Sequence, residues 1–106
     1  MSEPQHYGGR DQYGNDPVYI FELYMIGTSP SSSRAVVNVR KICEEHLKDQ
    51  YDLKVIDVSI DREAASREQI LAAPTLIVRS PQPERRYIGD LSDPGRFISG
   101  LNLKLA

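Results

Sequence analysis

The chain of 106 residues has no tryptophan, one cysteine and a formal net charge of only −2, from 13 basic residues against 15 acidic ones. Each shortage excludes a class. A single cysteine cannot form an internal disulfide, so the chain is not a disulfide-stapled secreted scaffold, and a reducing, cytoplasmic location is expected. Near-neutral charge argues against a dedicated nucleic-acid binder, whose affinity would rest on a basic face. No apolar run approaches the roughly 20 residues that span a bilayer. The N-terminal MSEPQHYGGRDQYGNDP has neither the basic start nor the apolar stretch of a signal peptide. The length suits one domain, since a chain of this size buries roughly 60–70% of the surface its unfolded form exposes.

The charge is unevenly placed. Residues 1–16 set Arg10 against Glu3, Asp11 and Asp16, a local net of −2 that is the whole imbalance. With Gly8, Gly9, Gly14 and no aliphatic residue after Met1, this stretch has little apolar surface to offset the entropy of ordering it. A flexible N-terminal extension over 1–16 and a folded domain over 17–106 are expected.

Val18–Ile26 is a β-branched and aromatic run with one charge, Glu22, the pattern of a central strand covered on both faces. Gly27-Thr28-Ser29-Pro30 supplies a turn, a hydroxyl cap and a proline suited to the first helical position. Val36, Val39, Cys43 and Leu47 then recur at steps of three and four, the buried stripe of a helix. Tyr51–Val58 reads as a second strand, and Asp61 can cap a helix from Arg62 to about Leu71. Pro74 stops that helix, Leu76–Arg79 resumes as a strand, and Ser80–Glu84 turns into Arg85–Ile88, the other arm of a hairpin. Asp93-Pro94 repeats the start signal, with Phe97, Ile98, Leu101 and Leu105 as the face of a last helix. The order β-α-β-α-β-β-α, with a proline before the third strand, is the thioredoxin-like arrangement, a mixed sheet with helices on both faces. One segment conflicts. Gly100 inside a helix costs ~1 kcal/mol relative to alanine, and Leu101-Asn102-Leu103-Lys104-Leu105 alternates with the period of a strand.

An oxidoreductase of this fold carries a nucleophilic cysteine at the start of the first helix, where the helix dipole lowers the thiol pKa. Thr28-Ser29-Pro30-Ser31-Ser32 stands there instead, and Cys43 falls about four turns further on, on the apolar face. The serines lack a general base, because His6 lies in the tail and His46 at the far end of the helix. Cys43, Glu44, Glu45 and His46 point to different helix faces and do not make a metal site, and no phosphate-binding glycine loop appears. No catalytic residue, metal or cofactor is expected. What remains is charge: Arg79, Arg85 and Arg86 can gather along one hairpin beside Glu84. Such a group suits bidentate recognition of carboxylates on a protein partner, or equally an edge strand that uses charge to avoid aggregation.

Taken together, Val18–Ile26 with Gly27-Thr28-Ser29-Pro30, Ser33-Arg34-Ala35, Leu53-Lys54-Val55-Ile56-Asp57-Val58, Ala73-Pro74-Thr75-Leu76 and Arg85-Arg86-Tyr87-Ile88-Gly89-Asp90-Leu91-Ser92 resemble the KaiB family of circadian clock proteins, from about Val18 to Leu105. The resemblance implies an adaptor without enzymatic activity that binds the KaiC ATPase ring according to its phosphorylation state, with KaiA or a sensor histidine kinase as further partners. It implies no nucleic-acid or membrane partner. It also implies two folds: the thioredoxin-like form that binds KaiC, and an alternative, usually tetrameric form with a rearranged C-terminal half, so that a homo-oligomer, dimer or tetramer, is expected of the free chain. The conflict at Gly100 lies in that half. By match to the family pattern, Arg34, Lys54, Arg85 and Arg86 are the expected partner contacts, and Gly27, Pro30, Asp57, Pro74, Gly89, Asp90, Ser92 and Gly100 the expected structural positions. Glu22, Val78 and Asn102 depart from the residues familiar in the family. Two other readings stay open: a thioredoxin-like or glutathione-transferase-like enzyme using Ser29 or Ser31 with Pro74, and an in-trans regulatory module for a sensor kinase.

Overall fold

Phe21 and Leu23 point to one side of strand β2 (Tyr19–Met25) and Tyr24 to the other, all three buried, so this strand needs cover on both faces. In the computed structural model, which describes residues 5–101, it has that cover. It runs parallel to β3 (Tyr51–Asp57) and antiparallel to β4 (Thr75–Ser80), with β1 (Gln5–Gly8) and β5 (Arg85–Ile88) on the outside, giving the order β1-β3-β2-β4-β5. Helices α1 (Pro30–His46) and α3 (Pro94–Gly100) cover one face. There Ala35, Val39, Ile42, Cys43, Phe97 and Ile98 close over Phe21, Leu23, Leu53, Val55, Leu76 and Val78. Phe97 meets Phe21 and Tyr87 edge-on, at centroid distances of 5.6 and 5.3 Å. The single turn and a half of α2 (Arg62–Arg67) covers only part of the other face, where Ala64 packs with Tyr24, Ile56 and Ile77. The expected β-α-β-α-β-β-α order is present, and the fold is thioredoxin-like.

Three expectations change. The stretch 1–16 is not wholly a loose extension: Gln5–Gly8 form an edge strand antiparallel to β3. Backbone pairing orders it where side-chain hydrophobicity would not, with Gly9 N–H donating to Tyr51 C=O at 2.9 Å. Beyond it, the Asp11 carboxylate accepts the Tyr13 and Asn15 amides, each at 2.9 Å, and closes a local loop.

Second, α2 ends at Arg67, not near Leu71. Gln69 adopts φ 55°, Gln69 N–H donates to Ser66 C=O and Ile70 N–H to Ala65 C=O, which is the hydrogen-bond pattern of a Schellman cap. Third, Gly100 is the last residue of α3, and its lack of a side chain has a steric reason. A methyl group there would collide with the Tyr87 hydroxyl and sit 3.2 Å from its Cζ. The stretch 102–105, including Asn102 and Leu105, lies outside the described residues.

Candidate partner-binding surface

The first helix begins with its hydroxyls in use. Ser29 Oγ accepts the Ser32 amide at 3.3 Å, and the buried Ser32 Oγ accepts the Ile26 amide at 3.0 Å. Pro30 occupies the first turn, as expected. Cys43 is fully buried and burial, with the nearby Glu44 charge, pushes its thiol up to about 12, far from a nucleophilic thiolate at neutral pH. Among the described residues no group of His, Cys, Asp and Glu is arranged to hold a metal.

Register alternation decides where the expected contact cations go. Arg86 lies opposite Ile77 on the α2 face, whereas Arg85 lies opposite Val78 on the face carrying α1 and α3. The two neighbours in sequence therefore look in opposite directions, and the hairpin does not gather Arg79, Arg85 and Arg86 into one fork. Lys54 is exposed on the α2 face, in a row that crosses every strand: His6, Lys54, Glu22, Ile77, Arg86. It makes no ion pair among the described residues. At about 4.8 Å per strand, three strand spacings put Lys54 and Arg86 about 14 Å apart on one open face.

Arg79, the third hairpin arginine, is the hub between them. Its Nη2 lies 2.8 Å from Glu22 Oε1 and 2.6 Å from Glu68 Oε1, and its Nη1 pairs with Glu84. These partners, Glu68 first, raise the Arg79 pKa, and Arg79 in turn holds the Glu68 carboxyl below its usual range. Glu22 is thus the carboxylate that faces this arginine of β4, and it also accepts the Tyr24 hydroxyl at 2.9 Å. The signal available in sequence was the pairing of one charge in each of two otherwise apolar strands. Val78 is 1% exposed and belongs to the core, not to a contact surface.

Arg34 leaves α1 toward the β5–α3 turn, where Nε donates to Asp90 Oδ2 at 3.0 Å. Asn38 donates to the Asp90 carbonyl at 2.7 Å, and Asp90 Oδ1 accepts the Ser92 amide at 3.0 Å. Arg34, and then the Ser92 groups, hold the Asp90 carboxyl below its usual range. Gly89, at φ 113°, donates to the carbonyl of the buried Pro74 at 2.9 Å, so the turn is fixed at both ends. Arg34 still leaves 60% of its side chain accessible. Asp57 plays a matching role at the same end of the sheet, after β3. It accepts the Ser59 hydroxyl at 2.6 Å and the Gly27 amide at 3.1 Å, and Ser59 is the main reason its carboxyl is lowered. Arg86 Nη1 donates to the Glu68 carbonyl at 2.7 Å. Arg86 also borders an open cleft of about 430 Å³ with Gly89, Asp90, Ser92 and Arg96. The structure therefore brings Lys54 and Arg86 to one face and Arg34 to the turn with Asp90, while Arg85 stands apart.

Solved structures show the same fold at low sequence identity. Mitochondrial thioredoxin 3 from Saccharomyces cerevisiae superposes with a TM-score of 0.65 at 13% identity, over 81% of this chain and 78% of the other. The N-terminal domain of SasA from Synechococcus elongatus gives 0.64 at 19% identity, over 100% and 96%. Sequence relatives are nearer. The circadian clock oscillator protein KaiB of Prochlorococcus marinus (strain MIT 9312) is 47% identical over 85 residues, 80% of this chain and 81% of that protein. The KaiB of Synechococcus sp. (strain CC9311) is 48% identical over 85 residues, 80% and 71%. The family model of the KaiB domain matches residues 22–102, from within β2 to just past α3, and on that match the chain belongs to the KaiB family of circadian clock proteins.

Proposed function

We propose that this chain is a non-enzymatic adaptor that binds a KaiC-type ATPase ring in a manner set by the ring's phosphorylation state. The observation that carries the reading is the KaiB match across residues 22–102, which runs from within β2 through α3. The chemistry of the helix start supports it: the Ser29 hydroxyl caps the helix, the Ser32 hydroxyl holds the Ile26 amide, and the only thiol is buried. Thioredoxin-like redox catalysis therefore has no group to work with at the place where that fold performs it. Lys54 and Arg86 offer charge for a protein partner on the sheet face that α2 leaves open, with Arg34 and Arg85 as further contacts on other sides. Recognition of this kind rests on charge complementarity, which sets rate and specificity more than affinity.

The resemblance to a family with two folds adds a kinetic expectation. If the free chain spends most of its time in the alternative, oligomeric form, the competent fraction f weakens apparent affinity by 1/f, and association is slow. Size-exclusion chromatography with the organism's own KaiC-like ATPase and ATP, followed over hours in both phosphorylation states, tests the reading. Co-migration in one state that grows over hours supports it, with Lys54→Glu and Arg86→Glu each weakening it. Absence of co-migration in both states overturns it. Thiol-transferase activity that survives Cys43→Ala and is lost with Ser29→Ala would instead establish the enzyme reading.

A further inference from the structure

Strand β1 lies outside the residues that match the KaiB family model, yet it occupies the outer edge of β3. An uncovered edge strand offers a row of unpaired backbone groups to any other chain, and proteins commonly cover such edges. What β3 would offer is specific. Tyr51, Leu53 and Val55 face the core side, and Asp52 and Lys54 the opposite side. Two copies of this strand, antiparallel about a two-fold axis through Leu53, place each Asp52 opposite the other copy's Lys54. The same register places Tyr51 opposite Val55 and Leu53 opposite itself. Sliding by two residues either way sets Lys54 against Lys54 or Asp52 against Asp52, and sliding by one puts apolar side chains opposite charged ones. The edge is therefore self-complementary in one register and self-repelling in its neighbours, which a two-fold interface requires.

β1 fills the same positions from within the chain. His6 bonds to Asp52, supplying the group that faces that carboxylate, and Tyr7 lies opposite Leu53 with the Arg40 guanidinium 4.2 Å from its ring centroid. Its hold is slight: four residues, of which Gln5, His6 and Gly8 are exposed, with Tyr7 as its sole side chain against the core. Segments with so few buried contacts open at low free-energy cost. We propose that β1 is a displaceable guard over the β3 edge, and that when it lifts away the chain pairs with a second copy of itself through β3, antiparallel and centred on Leu53.

The test uses the full chain. His6→Pro/Tyr7→Pro removes two consecutive amide donors, so β1 cannot pair whichever of them faces β3. With the thioredoxin-like form first separated by size exclusion from any oligomer of the alternative form, sedimentation equilibrium should then show it in a monomer–dimer equilibrium, with more dimer than the parent's thioredoxin-like form at equal concentration and the far-UV circular dichroism of the helices retained. Adding Lys54→Asp sets two carboxylates against each other at both ends of the pairing and should weaken the dimer roughly tenfold or more. Adding Asp52→Lys as well should restore it. A natively folded proline variant with the parent's mass at the highest soluble concentration overturns the proposal. So does a mass above the dimer, a dimer indifferent to Lys54→Asp, or a failure of the charge exchange to recover it. If the prolines disturb the fold, His6→Ser/Tyr7→Ser removes only the side chains that hold β1. It should shift the same equilibrium toward dimer, and an unchanged mass there overturns the proposal equally.

Discussion

At Gly100 two effects of opposite sign meet at one carbon atom. Helix propensity alone has Gly100→Ala stabilising the protein by ~1 kcal/mol. The added methyl, however, enters space held by the Tyr87 hydroxyl, and the Tyr87 ring is kept in place by its edge contact with Phe97. Overpacking of this kind costs about 1–3 kcal/mol, so steric conflict should win and Gly100→Ala should lower the urea midpoint. In a Tyr87→Phe background the hydroxyl is gone, and the same substitution should cost less or reverse sign. A higher midpoint for Gly100→Ala alone would show that the tyrosine moves aside freely. The sequence could not carry this argument. It displayed a glycine that weakens a helix, but the reason for it stands on β5, on the sheet face that α3 covers. Glu22 is a similar case, since it looks misplaced in a central strand until Arg79 and the Tyr24 hydroxyl are seen to bond its carboxylate.

Elements were legible where local chemistry marks them and illegible where it does not. Serine and proline announce the start of α1, and Asp61 caps α2 through the Ala64 amide at 3.1 Å. Pro74 separates α2 from β4, and the apolar run of β2 identifies a strand buried on both faces. The contact surface was less readable, because only strand register reveals that Arg85 and Arg86 look opposite ways. β1 was missed because its ordering comes from backbone pairing with a strand far along the chain. Its side chains add only a cation–π contact, about 0.5–1 kcal/mol at an exposed site, and a surface His–Asp pair worth about 1 kcal/mol at most. The end of α2 was missed because glutamine, not glycine, takes the left-handed position at Gln69. That position makes a prediction about the element. Gln69→Gly relieves the steric penalty of the left-handed conformation, about 1–2 kcal/mol, against an unfolded-state entropy cost of about 0.4–1 kcal/mol. It should therefore raise the melting temperature slightly. Gln69→Val, branched at Cβ, should lower it clearly. Equal melting temperatures for the two variants would mean that α2 ends without help from that cap.

For the whole molecule, ionisable groups on both sides of neutrality define a pH window of stability. Asp57 and Asp90 lie below their ordinary 3.8 and Glu68 below its ordinary 4.5, held there chiefly by Ser59, Arg34 and Arg79 respectively. For a group depressed in the folded state, the unfolded chain binds the proton first. Its contribution is present above the ordinary value and disappears as pH falls through the folded one. Acid loss should begin near pH 4.5 and deepen below 3.8. On the alkaline side, burial raises Cys43 from 9.0 to about 12, and raises Tyr24 and Tyr51 from 10.0 to about 12. These groups are neutral in the folded state while the unfolded chain ionises, so their contribution is complete below the ordinary value and lost as pH climbs to about 12. Cys43 has the lowest ordinary value of the three, so it sets the onset. Urea midpoints measured from about pH 3 to 11 should be level from about 5 to 9 and fall on both flanks. Cys43→Ala, although less stable throughout from the lost packing, should keep its plateau until near the tyrosine value of 10.0. An alkaline onset that stays near the thiol's ordinary 9.0 in Cys43→Ala would mean that another group, and not the buried thiol, closes the window.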